Sequence, residues 1–230
     1  MTETNFVLIH YSESVYKEEG LGRLQGKLRD PSNGLSEKGK VKIKEVADKL
    51  FSQFSEHKNV VIISSPLKRT VDAASIISDR LNLPVELDDR LMEACHGVFD
   101  GMTKLERQND PKYKERRGIK DFNKHLEKQV KANQITQEEA EKVKKPVPPY
   151  GYGQNKDGIE YESSSLIQER VKEFFKDVSE KRPGSIFIVV SHGTPIKQAC
   201  KLDTECGKVN KKFVEIAYNP STQGVKVLSN

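Results

Sequence analysis

Phe6-Val7-Leu8-Ile9-His10 is an unbroken apolar run that ends on a histidine. Far downstream, Ile186-Phe187-Ile188-Val189-Val190-Ser191-His192-Gly193 does the same. Continuous rather than alternating hydrophobicity marks a strand covered on both faces, as in a parallel sheet under helices. Two such strands, each carrying a histidine to its tip, predict one site at the strand ends. Val60–Ser64 is a third strand of this kind and runs into Ser64-Ser65-Pro66-Leu67-Lys68-Arg69-Thr70.

Outward from these strands the hydrophobic period changes. Ser36 reads as a helix N-cap, and Val46, Leu50 and Phe54 recur at helical spacing on the buried face. Pro66 falls where a first-turn proline is tolerated. Leu67, Val71, Ala74, Ile77 and Leu81 form the stripe of the helix behind it. A short strand is expected at Leu83–Leu87 and a helix at about Ser163–Glu180, with Ile167, Val171, Phe174 and Val178 inward. A further helix is expected at Pro195–Leu202, with closing strands at Phe213–Tyr218 and Val225–Leu228. This order predicts an α/β fold, a doubly wound, mostly parallel sheet flanked by helices with right-handed crossovers.

Two stretches interrupt the alternation. Tyr11–Asn33 is polar, with Gly20, Gly22, Gly26 and Pro31, and reads as a long functional loop. Residues 102–161 are lysine-rich, with helices expected around Pro111–Lys131 and Gln137–Lys144 before Pro146-Val147-Pro148-Pro149. They hold too few apolar residues for a core of their own. The expectation is one domain over 1–230 with an inserted helical cap at about 102–161.

The 230 residues carry a net charge of +5 and a pI of about 8.9, with 35% hydrophobic and 32% charged residues. That balance suits an anionic substrate and is too mild to argue for nucleic acid. No apolar run approaches the ~20 residues of a membrane span. Glu3, with no basic stretch beside it, argues against a secretory signal. Cys95, Cys200 and Cys206 form no CxxC pair and read as reduced thiols in a cytoplasm. Oligomeric state is not readable from the chain.

A neutral imidazole is a good nucleophile toward phosphorus when cations hold the phosphoryl oxygens and an acid protonates the leaving oxygen. Guanidinium groups suit the first task, and a carboxylic acid kept protonated by its surroundings suits the second. The chain offers His10, Arg69, Glu93 and His192, each at or beyond an expected strand end. His57, His96 and His125 are assigned no role. No HExxH-like or paired spacing is present, which argues against a metal site.

In their order along the chain, these residues resemble the histidine phosphatase (phosphoglycerate-mutase-like) superfamily. Ser64-Ser65-Pro66-Leu67-Lys68-Arg69 and Ser191-His192-Gly193 match its second and last motifs. Glu93 with Gly97 and Gly101 matches its acid motif. Arg23-Leu24-Gln25-Gly26 and Leu35-Ser36-Glu37-Lys38-Gly39 match its first loop. Pro148, Pro149, Glu162, Ser163 and Arg170 match a later element. The resemblance implies that His10 becomes a phosphohistidine, that Glu93 is the proton donor, and that Arg69, His192 and Gly193 meet the phosphate. It implies a small phosphorylated substrate and a reaction that needs no metal and no cofactor, and no membrane partner is expected.

The first motif departs from the pattern. Ile9 stands where that family has arginine, and Tyr11 where it has glycine. Another cation must then reach in, with Arg23 the first candidate and Lys17 and Arg29 behind it. Tyr11 and Ser14 join Arg23 as expected substrate contacts. Three activities stay open at this stage: a phosphomonoester hydrolase, an impaired relative that binds an anionic ligand or partner, and a mutase-type phosphoryl transfer.

Overall fold

β1 (Thr4–His10), β2 (Val60–Ser64), β3 (Val85–Leu87), β4 (Ile186–Ser191), β5 (Phe213–Asn219) and β6 (Gly224–Ser229) form one sheet. Their order is β3-β2-β4-β1-β5-β6. The first four run parallel, and β5 runs antiparallel to both its neighbours, β1 and β6. The mostly parallel expectation therefore holds. This computed structural model describes residues 3–20, 22–203 and 213–229. Cys206 lies outside the described residues.

The helices are α1 (Val15–Glu18), α2 (Glu37–Phe54), α3 (Lys68–Leu81), α4 (Lys104–Asn109), α5 (Pro111–Lys131), α6 (Gln137–Val143), α7 (Ser164–Lys181) and α8 (Gly193–Cys200). Alternation along β1 divides the core into two layers. Phe6 and Leu8 pack with Phe174, Phe175, Ile196 and Ala199 of α7 and α8. Val7 and Ile9 pack with Ile43, Ala47, Leu50, Ala73, Ala74 and Ile77 of α2 and α3. Both faces of the central strands are thus covered, which is why they read as continuous apolar runs. Each fully buried aliphatic or aromatic side chain contributes roughly 1.5–3 kcal/mol.

Several boundaries differ from expectation, each for a local reason. Pro66 is not in a first helical turn: α3 starts at Lys68 with Leu67 as its N-cap. Leu67 has extended backbone, and its amide donates to Ser65 Oγ (3.4 Å), so Ser65-Pro66-Leu67 forms a turn ahead of the helix. β3 begins at Val85 rather than Leu83, because left-handed Asn82 ends α3 and Leu83 N–H returns to Ser78 O. α1 and α4 were not expected. α4 follows from a capping box, with Thr103 accepting from Glu106 N–H and Glu106 accepting from Thr103 N–H. Val46 is half-buried, and Ile43 and Ala47 take the inward positions of α2.

Candidate active site

The sheet order brings three strand tips together. His10 sits opposite Ser191 across the β1–β4 pair, and Ser64 sits opposite Val190 across the β2–β4 pair. Such a switch point of strand order is where parallel sheets form their sites. His192 leaves β4 as the N-cap of α8 and is fully buried, its Nε2 2.8 Å from Ser65 Oγ. Its Nδ1 has no hydrogen-bond partner among the described residues. Burial, then the charge of Arg69, then His10 and Arg170, hold its pKa well below the ordinary imidazole value. His192 is therefore a neutral ring. Gly193 lies beside His10: a Cβ there would stand 3.8 Å from His10 Nε2.

Ser191 draws in the segment that carries Glu93. Its hydroxyl donates to Leu91 O (2.8 Å), while Asp88 N–H donates to Ser64 O (2.9 Å). Glu93 is half-buried, and its Oε1 accepts from Ala94 N–H (2.8 Å). Arg170 of α7 donates to the main-chain carbonyls of Arg90 and Glu93, clamping this segment on both sides. The guanidinium is held by Glu162 (3.1 Å), which also accepts from Lys27 Nζ (2.7 Å) and Cys95 N–H (3.0 Å). Burial pushes the Glu162 carboxyl up, but Arg170, Lys27 and the Cys95 amide outweigh it, and the net shift is downward.

Arg69, in the first turn of α3, is 1% exposed, and its Nη2 donates to Gly26 O (2.8 Å). Its Nε has no hydrogen-bond partner among the described residues. Burial lowers its pKa, and neighbouring Tyr11, Glu93 and Asp100 oppose that shift. Gly26 is needed at its turn: its φ is +51°, and a Cβ would overlap the Asp100 carboxylate at 1.7 Å. Asp100 in turn accepts from the amides of Lys27 (3.1 Å) and His96 (3.1 Å).

Ile9 and Tyr11 stand on either side of His10. Ile9 is fully buried in the apolar layer against α2 and α3. Tyr11 is buried and stacks on His10, with centroids 4.4 Å apart and planes at 26°. It presents an edge to His192 at 5.4 Å, and the Arg69 guanidinium lies 5.4 Å from its ring centre. Its hydroxyl donates to Gln25 Oε1 (3.0 Å). The left-handed residue is Ser12 (φ +81°), one place beyond the expected glycine position. That turn aims Ser12 N–H at His10 Nδ1 (3.1 Å). A neutral imidazole whose Nδ1 accepts carries its proton on Nε2. Ser14 is fully buried, and its hydroxyl finds no partner among the described residues.

His10, Arg69, Glu93, His192, Gly193, Tyr11 and Ser14 thus gather around the strand ends. Arg23 has contacts of its own in the first loop. It pairs with Glu19 (3.3 Å), donates to Gly101 O (2.8 Å) and lies 4.9 Å from the centre of the Tyr16 ring. Arg29 is held at the surface by Asp89 (3.1 Å). Ser65, Gln25, Lys27 and the clamp of Arg170 on Glu93 were not assigned roles by sequence reasoning. Ser65 and Gln25 lay inside quoted motifs, but nothing in a motif says which ring or hydroxyl they touch. Among the described residues no group of three or more His, Cys, Asp or Glu side chains is placed to hold a metal. No helix there is long and apolar enough to cross a membrane.

A profile of the histidine phosphatase superfamily (branch 1) matches residues 13–145. Phosphoserine phosphatase 1 of Hydrogenobacter thermophilus is 34% identical over 194 residues, covering 83% of this chain and 72% of that protein. A solved mutant phosphoserine phosphatase of Entamoeba histolytica, in complex with phosphoserine, shares the fold. Its TM-score is 0.63 at 19% identity, covering 98% of this chain and 95% of that one. A mycobacterial glucosyl-3-phosphoglycerate phosphatase gives a TM-score of 0.63 at 18% identity, covering 99% of this chain and 98% of that one.

Proposed function

The chain belongs to the histidine phosphatase superfamily, and from that premise we propose that it is a phosphomonoester hydrolase working through a phosphohistidine on a small phosphorylated metabolite. The observation that carries this reading is a pair of buried nitrogens, Arg69 Nε and His192 Nδ1, that have no partner among the described residues, on two side chains that both contact the Tyr11 ring beside His10. Buried polar groups are normally satisfied, and a phosphoryl group would satisfy the guanidinium and, in its Nδ1–H form, the ring.

In this mechanism His10 Nε2 attacks phosphorus in line, and the leaving alkoxide takes the proton of a protonated Glu93. Glu93, now a carboxylate, removes a proton from the water that attacks the phosphohistidine. Orthophosphate leaves and His10 is regenerated. Arg69 and His192 hold the phosphoryl oxygens in both steps, and Gly193 lets α8 approach them. Losing one preorganised donor costs about 10²–10³ in rate, so the absence of an arginine at position 9 is a real handicap. The attack also needs the Nε2 lone pair. The Ser12 peptide must therefore turn away from Nδ1 at the start of each cycle.

Segment 102–161 is read as a cap that sets specificity. The named relatives make a carboxylate-bearing phosphomonoester, of which phosphoserine is the simplest, the first substrate to try. A cytoplasmic site of action belongs to the same reading. Burial pushes the Cys95 thiol up to about 12, and its Sγ lies 3.2 Å from Ile159 O, a structural thiol rather than an exchanging one.

A second reading is favoured by the Ser12 N–H on Nδ1 and by the Tyr11 ring over His10: an anion-binding protein without turnover. One experiment separates the two. Wild type and His10→Ala are incubated with phosphoserine, 3-phosphoglycerate and sugar and nucleotide phosphates over about pH 5–8, and free phosphate is measured. The hydrolase reading expects release that vanishes in His10→Ala. Phosphate binding with no release and no acid-labile phosphoenzyme would establish the second. Transfer between positions of a substrate without free phosphate would indicate mutase chemistry.

A further inference from the structure

Ser65 is not assigned any role by the mechanism above, yet its hydroxyl stands 2.8 Å from His192 Nε2 at full burial. Two atoms lie within its hydrogen-bonding reach, the ring nitrogen and the Leu67 amide at 3.4 Å. The amide can only donate. The Ser65 proton is therefore left with Nε2 as its acceptor among the described residues. The residue is itself locked, because its carbonyl accepts from the hydroxyls of Ser64 (2.9 Å) and Thr70 (2.9 Å).

Counting buried groups decides between the two neutral tautomers. With the ring proton on Nδ1, Ser65 donates to Nε2 and one group, Nδ1–H, lacks a partner. With it on Nε2, the ring donates to Ser65. The serine proton and the Nδ1 lone pair then both lack a partner. The first arrangement leaves fewer buried polar groups unsatisfied and is preferred. It also turns a donor, rather than a lone pair, to any anion that enters beside Arg69. The ring is neutral because burial and the surrounding Arg69, His10 and Arg170 oppose its protonation.

We propose that Ser65 is a positioning residue that fixes His192 in the Nδ1–H tautomer, so that a buried N–H is held ready for a phosphoryl oxygen. The identity of the anion rests on the phosphatase reading; the tautomer does not. Hydrogen-bonding the far nitrogen of a histidine is a general way of fixing which nitrogen does the work.

The test is a long-range proton–nitrogen NMR correlation on full-length protein labelled with ¹⁵N-histidine. The His192 ring, one of five histidines, is identified by its loss in His192→Gln. Wild type and Ser65→Thr should show the Nδ1–H pattern, and Ser65→Ala should lose it in favour of Nε2–H. Titration with inorganic phosphate should give affinity about tenfold weaker in Ser65→Ala and near wild type in Ser65→Thr. An Nε2–H pattern in the wild type overturns the proposal. So does a folded Ser65→Ala that keeps Nδ1–H and wild-type phosphate affinity. Should Ser65→Ala fail to fold, the wild-type spectrum still decides the tautomer. The spectrum is recorded without substrate, so a protein that releases no phosphate would sink the hydrolase reading while leaving this measurement intact.

Discussion

Tyr11 lies on His10 at 4.4 Å and is tethered through its hydroxyl to Gln25, so it occupies space beside Arg69 and His192 that an anion would share. A ligand that must displace such a ring binds more weakly by the fraction of time the ring is away. Tyr11→Gly should therefore tighten inorganic phosphate binding by about tenfold, while lowering stability by roughly 3–5 kcal/mol through the cavity left behind. Calorimetric titration checks the first and thermal melting the second. Equal affinity in both proteins would show that the ring does not cover the anion's place. Sequence alone displayed the substitutions at Ile9 and Tyr11 and the four residues His10, Arg69, Glu93 and His192. It did not display where the tyrosine points, because that depends on Gln25 fourteen residues away. Nor did it display where the Arg23 guanidinium is held. Glu19, one helical turn earlier, and the Gly101 carbonyl claim that guanidinium first.

α2 shows how an element supports the site from outside it. Its N-cap Ser36 accepts from Gly39 N–H (3.2 Å), and the Ser36 amide donates to Glu13 O (3.1 Å). That carbonyl belongs to the turn carrying Tyr11, Ser12 and Ser14. Gly39 lets the turn lie directly on the helix: a Cβ there would come within 2.1 Å of Glu13 O. Alanine gains up to about 1 kcal/mol in helix propensity over glycine, but a clash with backbone this close outweighs it. Gly39→Ala should lower Tm by several degrees, at about 2–4 °C per kcal/mol for a chain of this size. It should also reduce kcat, because the displaced carbonyl moves the His10 turn. A variant with lowered Tm and unchanged kcat would sever the link between α2 and that turn. At this scale the strands and long helices were legible, since buried parallel strands and amphipathic helices each leave a plain period. The start of α3 was not, because it is set by the extended backbone of Leu67 and its contact with Ser65 Oγ, which leave no periodic trace. α4 escaped notice because six residues are too few to show a period.

Across the whole molecule, Glu162 ties the first loop, the Glu93 segment and α7 together through Lys27, Cys95 and Arg170. Its pKa is lower folded than unfolded, so its contribution is complete above the ordinary glutamate value of 4.5. The contribution is lost as pH falls through the depressed folded value. In Glu162→Gln, Lys27 and Arg170 lose their counter-charge. The Tm gap between wild type and Glu162→Gln should therefore be wide at neutral pH and narrow as pH falls below about 4.5. A gap independent of pH would show that the carboxylate's charge is not what matters. The strand order has its own consequence. β1 and β2 never touch: β4 stands between them, and β4 is made from residues 186–191. Until a nascent chain has lengthened past those residues, both early strands keep a bare hydrogen-bonding edge, the kind that recruits other chains. Assembly of the sheet must await closure over a long sequence separation, which favours slow folding. The strand that delivers the second histidine is also the one that joins β1 to β2, so the halves of the site and the halves of the parallel sheet come together in a single step.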